Sequence, residues 1–227
     1  MTTIAERVHY LKELISSTAQ HYQRSPQEIL LLAVSKGQST EAIQEAYEAG
    51  LRDFGENYYQ EAWKKIQSLH SLTICWHFIG PIQSNKTKGI AQHFDWVHSL
   101  SREEIACLLN KYRPDYLPPL NVCLQINLDN ELTKSGINGE HAIEFAKLVN
   151  TLPKLKLRGL MAIPLPHHEE QQQYQSLLRL KQLLNTLNRR LDLSMDTLSM
   201  GMSEDLIAAI RAGSTIVRIG RALFGER

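Results

Sequence analysis

Eight short β-rich runs, each followed by a stretch with helical patterning, constrain what this chain can fold into. They span residues 29–35, 52–55, 73–80, 94–98, 120–127, 155–163, 195–199 and 215–219. Several are near-continuous apolar stretches, LLLAV among them, as suits parallel strands covered on both faces. Between them lie helix signals. Ser101 and Glu104 have the spacing of a capping box before IACLL. Ser203 precedes Glu204 and Asp205, acids that suit a helix start, and Gly213 and Gly50 stand where helices end. Leu177, Leu180, Leu184, Leu187 and Leu191 recur at three- and four-residue steps and make one apolar face. The alternation predicts an α/β fold, a single (β/α)8 TIM-type barrel with residues 2–21 as an extra N-terminal helix. The rival is a doubly wound open sheet, since periodicity does not register closure. At 227 residues the chain suits one barrel, and no linker or repeat interrupts it, so residues 1–227 are read as one domain.

A formal net charge of +1 provides no field for nucleic acid or an anionic membrane, so neither is expected as a partner. Three cysteines without a CxxC pair suggest neither a disulfide framework nor structural zinc. The first residues carry Glu6, Arg7, Lys12 and Glu13 where a signal peptide needs an apolar run, and no stretch reaches the roughly 18 apolar residues of a membrane span. A cytoplasmic protein is expected.

In a barrel of this kind the working face is built at the C-terminal ends of the strands. Lys36 follows LLLAVS, an apolar strand. A lysine beside a low-dielectric interior loses proton affinity and becomes a nucleophile able to form an imine; alternatively it snorkels from the rim into water. The turns after the seventh and eighth runs, SMGMS and IGRA, fall where barrel phosphate sites are often built. Gly201 and Gly220 let backbone approach an anion, and Ser199 and Ser203 supply hydroxyls or a cap. Arg218 lies inside the last run and needs a partner, either a carboxylate across the core or the ring nitrogen of a bound pyridine.

Six blocks, LLAVSKGQS, DFGENYYQE, WHFIGPIQSNK, INLDNELTKSGI, RGLMAIP and LSMGMSEDLIAAIRAGSTIVRIGRALFG, run in order over residues 31–225. In them the chain resembles the pyridoxal phosphate homeostasis proteins. That resemblance implies a barrel like the N-terminal domain of alanine racemase (fold type III), with pyridoxal 5′-phosphate (PLP) as cofactor, held as a Schiff base on Lys36. Arg218 looks like the ring-nitrogen partner. Ser199, Gly201, Gly220 and the backbone at Arg221 look like the phosphate cradle, and Asn57, His77 and Met161 would line the ring pocket. Two positions depart from the family's pattern: Pro81 in FIGPIQSNK, and Arg221 where threonine is frequent.

The resemblance implies a non-catalytic binder that buffers or delivers PLP, with PLP-dependent apoenzymes as recipients and a monomeric state. The alternative is a small PLP-dependent amino-acid racemase. Racemisation needs acid–base groups on both faces of the α-carbon, and neither Tyr58 nor Tyr59 is a persuasive partner for Lys36. An arginine at the ring nitrogen also weakens the ring as an electron sink. Lys134, in TKSG, is a candidate second acceptor of the aldehyde. His167, His168, Glu169 and Glu170 lack the spacing of metal ligands. His77, His93 and His98 could meet only through tertiary folding, so no metal site is expected.

Overall fold

The computed structural model describes residues 3–129, 135–139, 141–165 and 167–225. All eight runs form strands: β1 (Leu30–Val34), β2 (Asp53–Glu56), β3 (Cys75–Phe78), β4 (Trp96–Leu100), β5 (Leu120–Ile126), β6 (Leu155–Ala162), β7 (Thr197–Ser199) and β8 (Ile216–Ile219). They pair in parallel in sequence order, and β8 returns to β1 through Leu30↔Ile216 to Ala33↔Ile219, closing the barrel and excluding an open sheet. The strand that ends with Val34 and the last strand therefore lie side by side, which brings the Lys36 segment next to the Arg218 segment.

Helices cover the outside: α1 (Ile4–His21), α2 (Thr40–Glu48), α3 (Tyr59–Ser68), α4 (Thr87–His93), α5 (Glu103–Tyr112), α6 (Ala142–Asn150), α7 (Glu170–Leu191), α8 (Leu206–Ala212) and α9 (Arg221–Phe224). The extra leading helix starts in a capping box, with the Thr3 hydroxyl accepting from Glu6 N–H and the Glu6 carboxylate accepting from Thr3 N–H. It buries Val8, Leu11 and Ile15 against α2, α8 and α9. The leucine stripe of α7 buries Leu177, Leu180, Leu184 and Leu187, each contributing roughly 1.5–3 kcal/mol of burial. Gly50 (φ 88°) and Gly213 (φ 102°) end α2 and α8 in the left-handed conformation that glycine adopts without strain. None of the described helices is long and apolar enough to cross a membrane.

Two helix starts differ from expectation. Helix α5 begins at Glu103, with Arg102 as N-cap and no side-chain cap, so Ser101 and Glu104 form no capping box. Helix α8 begins after Asp205 rather than after Ser203; the Asp205 carboxylate accepts the Met202 N–H at 2.6 Å and folds the preceding turn. At α8 the Asp205 carboxylate thus takes the backbone N–H that would otherwise begin the helix earlier, while at α5 the Arg102 guanidinium goes to the Ile82 carbonyl.

The main apolar cluster lies between barrel and helices and includes Phe54, Phe78, Val97, Leu124, Leu160, Leu198, Val217 and Ile219. Alternate residues point into the barrel itself. There, beside buried Leu32, Cys123 and Met161, the interior holds polar groups: His77, His98, Ser199 and Arg218, none more than 5% exposed.

Candidate functional site

Lys36 sits two residues beyond β1, half-buried at the C-terminal mouth of the barrel. Its segment is held from below by a buried ionic cluster. Lys65, on α3, donates to the Ser35 carbonyl at 2.7 Å, to Glu56 at 2.7 Å and to Glu61 at 2.6 Å. Ser35 in turn donates its hydroxyl to Glu56 at 2.6 Å. Glu56 is fully buried, and burial raises its carboxyl above the ordinary range despite the lysine and serine donors. Its Oε2 has no hydrogen-bond partner. Gly37 (φ 72°) then turns the chain toward α2, its N–H held by Glu61. Glu56, at a strand end, falls on the expected working face, but Glu61 and Lys65 escaped the sequence reading, where their four-residue step on a helix was a signal.

On β8, Arg218 is 5% exposed. Its carboxylate-partner alternative fails: among the described residues it makes no ion pair, and its two hydrogen bonds go to the Ser199 hydroxyl oxygen (2.9 Å) and the Ala162 carbonyl (3.0 Å). Burial pulls the guanidinium down to about 10, opposed by Asp205, so it stays protonated at neutral pH. A guanidinium has five N–H donors, so Arg218 retains donors for a ligand.

From Arg218 an unbroken polar chain crosses the barrel. Ser199 Oγ is 2.7 Å from His98 Nδ1, His98 Nε2 is 2.9 Å from His77 Nδ1, and His77 Nε2 is 3.0 Å from Asp53 Oδ1. Its hydrogens follow from its ends. Arginine can only donate and carboxylate only accept. Burial first, and then the neighbouring His77 ring and Arg218 guanidinium, hold His98 well below the usual histidine range, so it is neutral. Ser199, accepting from Arg218, donates to His98 Nδ1. His98 then carries its proton on Nε2 and donates to His77, which donates from Nε2 to Asp53. Every group faces a matching partner, and the guanidinium is fixed in orientation from beneath.

The remaining site candidates distribute around this mouth. Met161 is the register partner of Ser199, inside the barrel next to the Arg218 chain. Asn57 follows β2, and its Oδ1 is buried with no partner. The backbone of Asn57 packs so closely on Gly80 that a Cβ at Gly80 would stand 2.1 Å from the Asn57 carbonyl oxygen. His77 lies deeper, joined to Arg218 only through His98 and Ser199, and its ring stacks on Trp96. Gly201 (φ 96°) follows β7, and a Cβ there would stand 2.5 Å from the Ala209 Cβ. At Gly220 the nearest atom to a Cβ would be 3.5 Å away, so packing alone does not demand glycine there. Arg221 is exposed and donates to Glu204 at 2.9 Å, bridging the turns after β7 and β8. Lys134 lies outside the described residues. The His167–Glu170 segment is the partly exposed approach to α7.

Residues 11–227 match the family model for the alanine racemase N-terminal domain. The chain is 54% identical over 227 residues to the pyridoxal phosphate homeostasis protein of Pseudomonas aeruginosa, covering 100% of this chain and 97% of that one. Against its Escherichia coli K12 counterpart it is 49% identical over 230 residues, covering 100% and 98%. Among solved structures, PipY of Synechococcus elongatus with PLP bound superposes with a TM-score of 0.84 at 33% identity, over 98% of this chain and 100% of that one. Alanine racemase of Corynebacterium glutamicum shares the fold, with a TM-score of 0.74 at 14% identity over 98% of this chain and 62% of that chain.

Proposed function

Since this chain belongs to the pyridoxal phosphate homeostasis protein family, we propose that it binds PLP through an imine with Lys36 and acts as a non-catalytic, monomeric, cytoplasmic carrier that buffers the cofactor or passes it to apoenzymes. The observation that supports this reading is that Lys36 follows β1 while Arg218 stands on the adjoining β8, in register with Leu32, with the arginine oriented by a polar chain. The residues fit the group. Arg218 has N–H donors to spare for a pyridine nitrogen, Asn57 offers a buried oxygen without a partner, and Gly201 (φ 96°) makes a turn in which a side chain would collide with Ala209 of α8.

When bound, PLP would supply an aldehyde for the Lys36 amine and a ring able to withdraw electrons. Arg218 limits the second property. It donates a hydrogen bond and does not surrender its proton, so a ring nitrogen facing it stays unprotonated. The backbone at Gly201, Gly220 and Arg221 would hold phosphate, and Met161 would flank the ring. Ser199, whose one hydroxyl proton goes to His98, would act through Arg218 rather than on the phosphate as the resemblance implied. The Lys65 cluster fixes the Ser35 carbonyl and thereby the lysine's root.

Neither tyrosine weighed for the racemase alternative is placed as a second acid–base group. Tyr59 turns to His93, 3.3 Å from its Nδ1, and packs against Gly89, while Tyr58 is 61% exposed. Borohydride reduction of the PLP-loaded protein, followed by peptide mapping, should place the cofactor on Lys36. Lys36→Ala should lose the visible imine band while keeping weak PLP binding. An undiminished band in that variant would remove Lys36 from this role. Amino-acid racemisation by the loaded protein would overturn the carrier reading, and a dimer in light scattering would overturn the monomeric one.

A further inference from the structure

The polar chain that starts at Arg218 ends, toward the N-terminal side of the barrel, among groups that carry ligand atoms for a metal. Asp53 and Cys75 are register partners on β2 and β3, and Cys75 and His77 are two residues apart on one strand and so face the same side. Asp53 Oδ1, Cys75 Sγ and His77 Nε2 all lie within 4.8 Å of one another. His77 Nε2 is 3.0 Å from Asp53 Oδ1 and 3.3 Å from Cys75 Sγ. With zinc–ligand bonds of about 2.0–2.3 Å, tetrahedral ligand atoms stand roughly 3.3–3.8 Å apart, so these three need only small adjustments.

We propose that Asp53, Cys75 and His77 form a three-ligand site for a zinc-class divalent cation at the N-terminal end of the barrel. The mixed nitrogen, sulfur and oxygen set suits zinc and disfavours magnesium or calcium, which take oxygen ligands. The ring that would coordinate is already oriented from its other side: His77 Nδ1 meets His98 at 2.9 Å, and the ring stacks on Trp96 at 5.5 Å with 5° between planes. Asp95, whose carboxylate accepts the Trp76 N–H at 2.9 Å, also lies against the Cys75 thiol, giving a fourth donor or a base for a bound water. Entry is open, because Asp53 lines a surface groove of about 270 Å³ together with Lys12, Gly50 and Arg52.

Binding breaks the Cys75 S–H bond, forms the sulfur–metal bond and releases the thiol proton to solvent. Coordination at His77 Nε2 requires its ring proton on Nδ1, donating to His98 Nε2. His98 then carries its own proton on Nδ1 and donates to Ser199, so both rings change tautomer with no net change in their protons. The Ser199 hydroxyl is thereby released to donate elsewhere. Occupancy at one end of the barrel thus resets a hydrogen bond at the other.

Cobalt(II) is the probe. Titrating the full chain should produce a thiolate-to-cobalt band in the near ultraviolet and visible bands of four-coordinate cobalt, saturating at one ion per chain and bleached by zinc. The bands should survive Cys107→Ser, which removes the exposed thiol, and disappear in Cys75→Ser. Asp53→Asn keeps the thiol and should weaken cobalt binding by about tenfold or more, a loss in the range seen when a metal site is perturbed. Nitrogen-15 spectra should show the His77 and His98 protons on Nδ1 after zinc is added. A folded chain without the thiolate band, a band that follows Cys107 instead of Cys75, or unchanged histidine tautomers would overturn the site.

Discussion

Replacing Lys65 with methionine should make stability fall with rising pH more steeply, and to a higher pH, than in the parent protein. Lys65 is 6% exposed and Glu56 is fully buried. Without the ammonium, the Glu56 carboxylate keeps only the Ser35 hydroxyl, and its Oε2 already lacks a partner. Breaking such a buried pair costs about 3–5 kcal/mol while the remaining carboxylate is charged. At low pH the carboxyl takes up a proton, and the loss shrinks toward the hydrogen bond to the Ser35 carbonyl, about 1 kcal/mol. The carboxyl of Glu56 is already raised by burial, and removing its cation raises it further. A raised folded value means the unfolded chain holds fewer protons, so stability is complete below the unfolded glutamate value, about 4.3, and declines as pH rises to the folded value. The slope has a ceiling of about 1.4 kcal/mol per pH unit. Urea unfolding from pH 5 to 8 measures it, and Lys65→Met/Glu56→Gln should flatten the difference. A pH-independent loss in Lys65→Met, or an unchanged slope in the double variant, would refute the charge compensation.

Gly159→Ala would place a Cβ 1.8 Å from the Thr197 carbonyl oxygen, between β6 and β7. Denaturant unfolding should show a loss of at least about 1–3 kcal/mol, while Gly139→Ala, with nothing within 4 Å of its Cβ, should stay within about 0.5 kcal/mol. Gly80→Ala should displace the Asn57 backbone and speed PLP release from the loaded protein, measured by transfer to an acceptor apoenzyme; an unchanged rate would remove Asn57 from the ring pocket. Burial raises the Asp196 carboxyl, but bonds from Arg158 and Thr197 outweigh it and leave it below the ordinary range. The stability that Asp196 contributes is therefore present above the unfolded aspartate value and lost as pH falls through the folded one. Asp196→Asn should be destabilising at neutral pH, and its difference from the parent should close in acid unfolding curves.

Strand positions were legible because each apolar run had to be covered on both faces, and glycine at 50 and 213 marked stops that other residues would strain to make. Lys36 and Arg218 stood out because a charge next to or within such a run needs a reason. The Ser101 capping box was not there to find, since a spacing pattern does not say which residue leaves the helix first. The polar chain was hidden for a different cause: Asp53, His77, His98, Ser199 and Arg218 come from β2, β3, β4, β7 and β8, and only closure of the barrel brings them into line. Lys65, four residues after Glu61 on a helix, carries no local mark that sets it apart. Nothing local distinguishes a helical lysine in water from one that turns inward beneath a strand end.

Closing β8 onto β1 also sets an order in time. During synthesis α1 emerges before the other described helices, yet two of the helices it packs against, α8 and α9, emerge after all the rest of them. Until α8, β8 and α9 have emerged, α1 carries an uncovered stripe of Val8, Leu11 and Ile15, and β1 has an open edge. The nascent barrel is in effect a sheet whose first edge waits for its last strand, a situation that favours holding by a chaperone over early release. In the closed barrel the start of α1 and the end of α9 lie together, with Arg7 close to Gly225. A short peptide joining them, with new ends cut in an exposed loop, would turn the slowest contact of the natural chain into a local one.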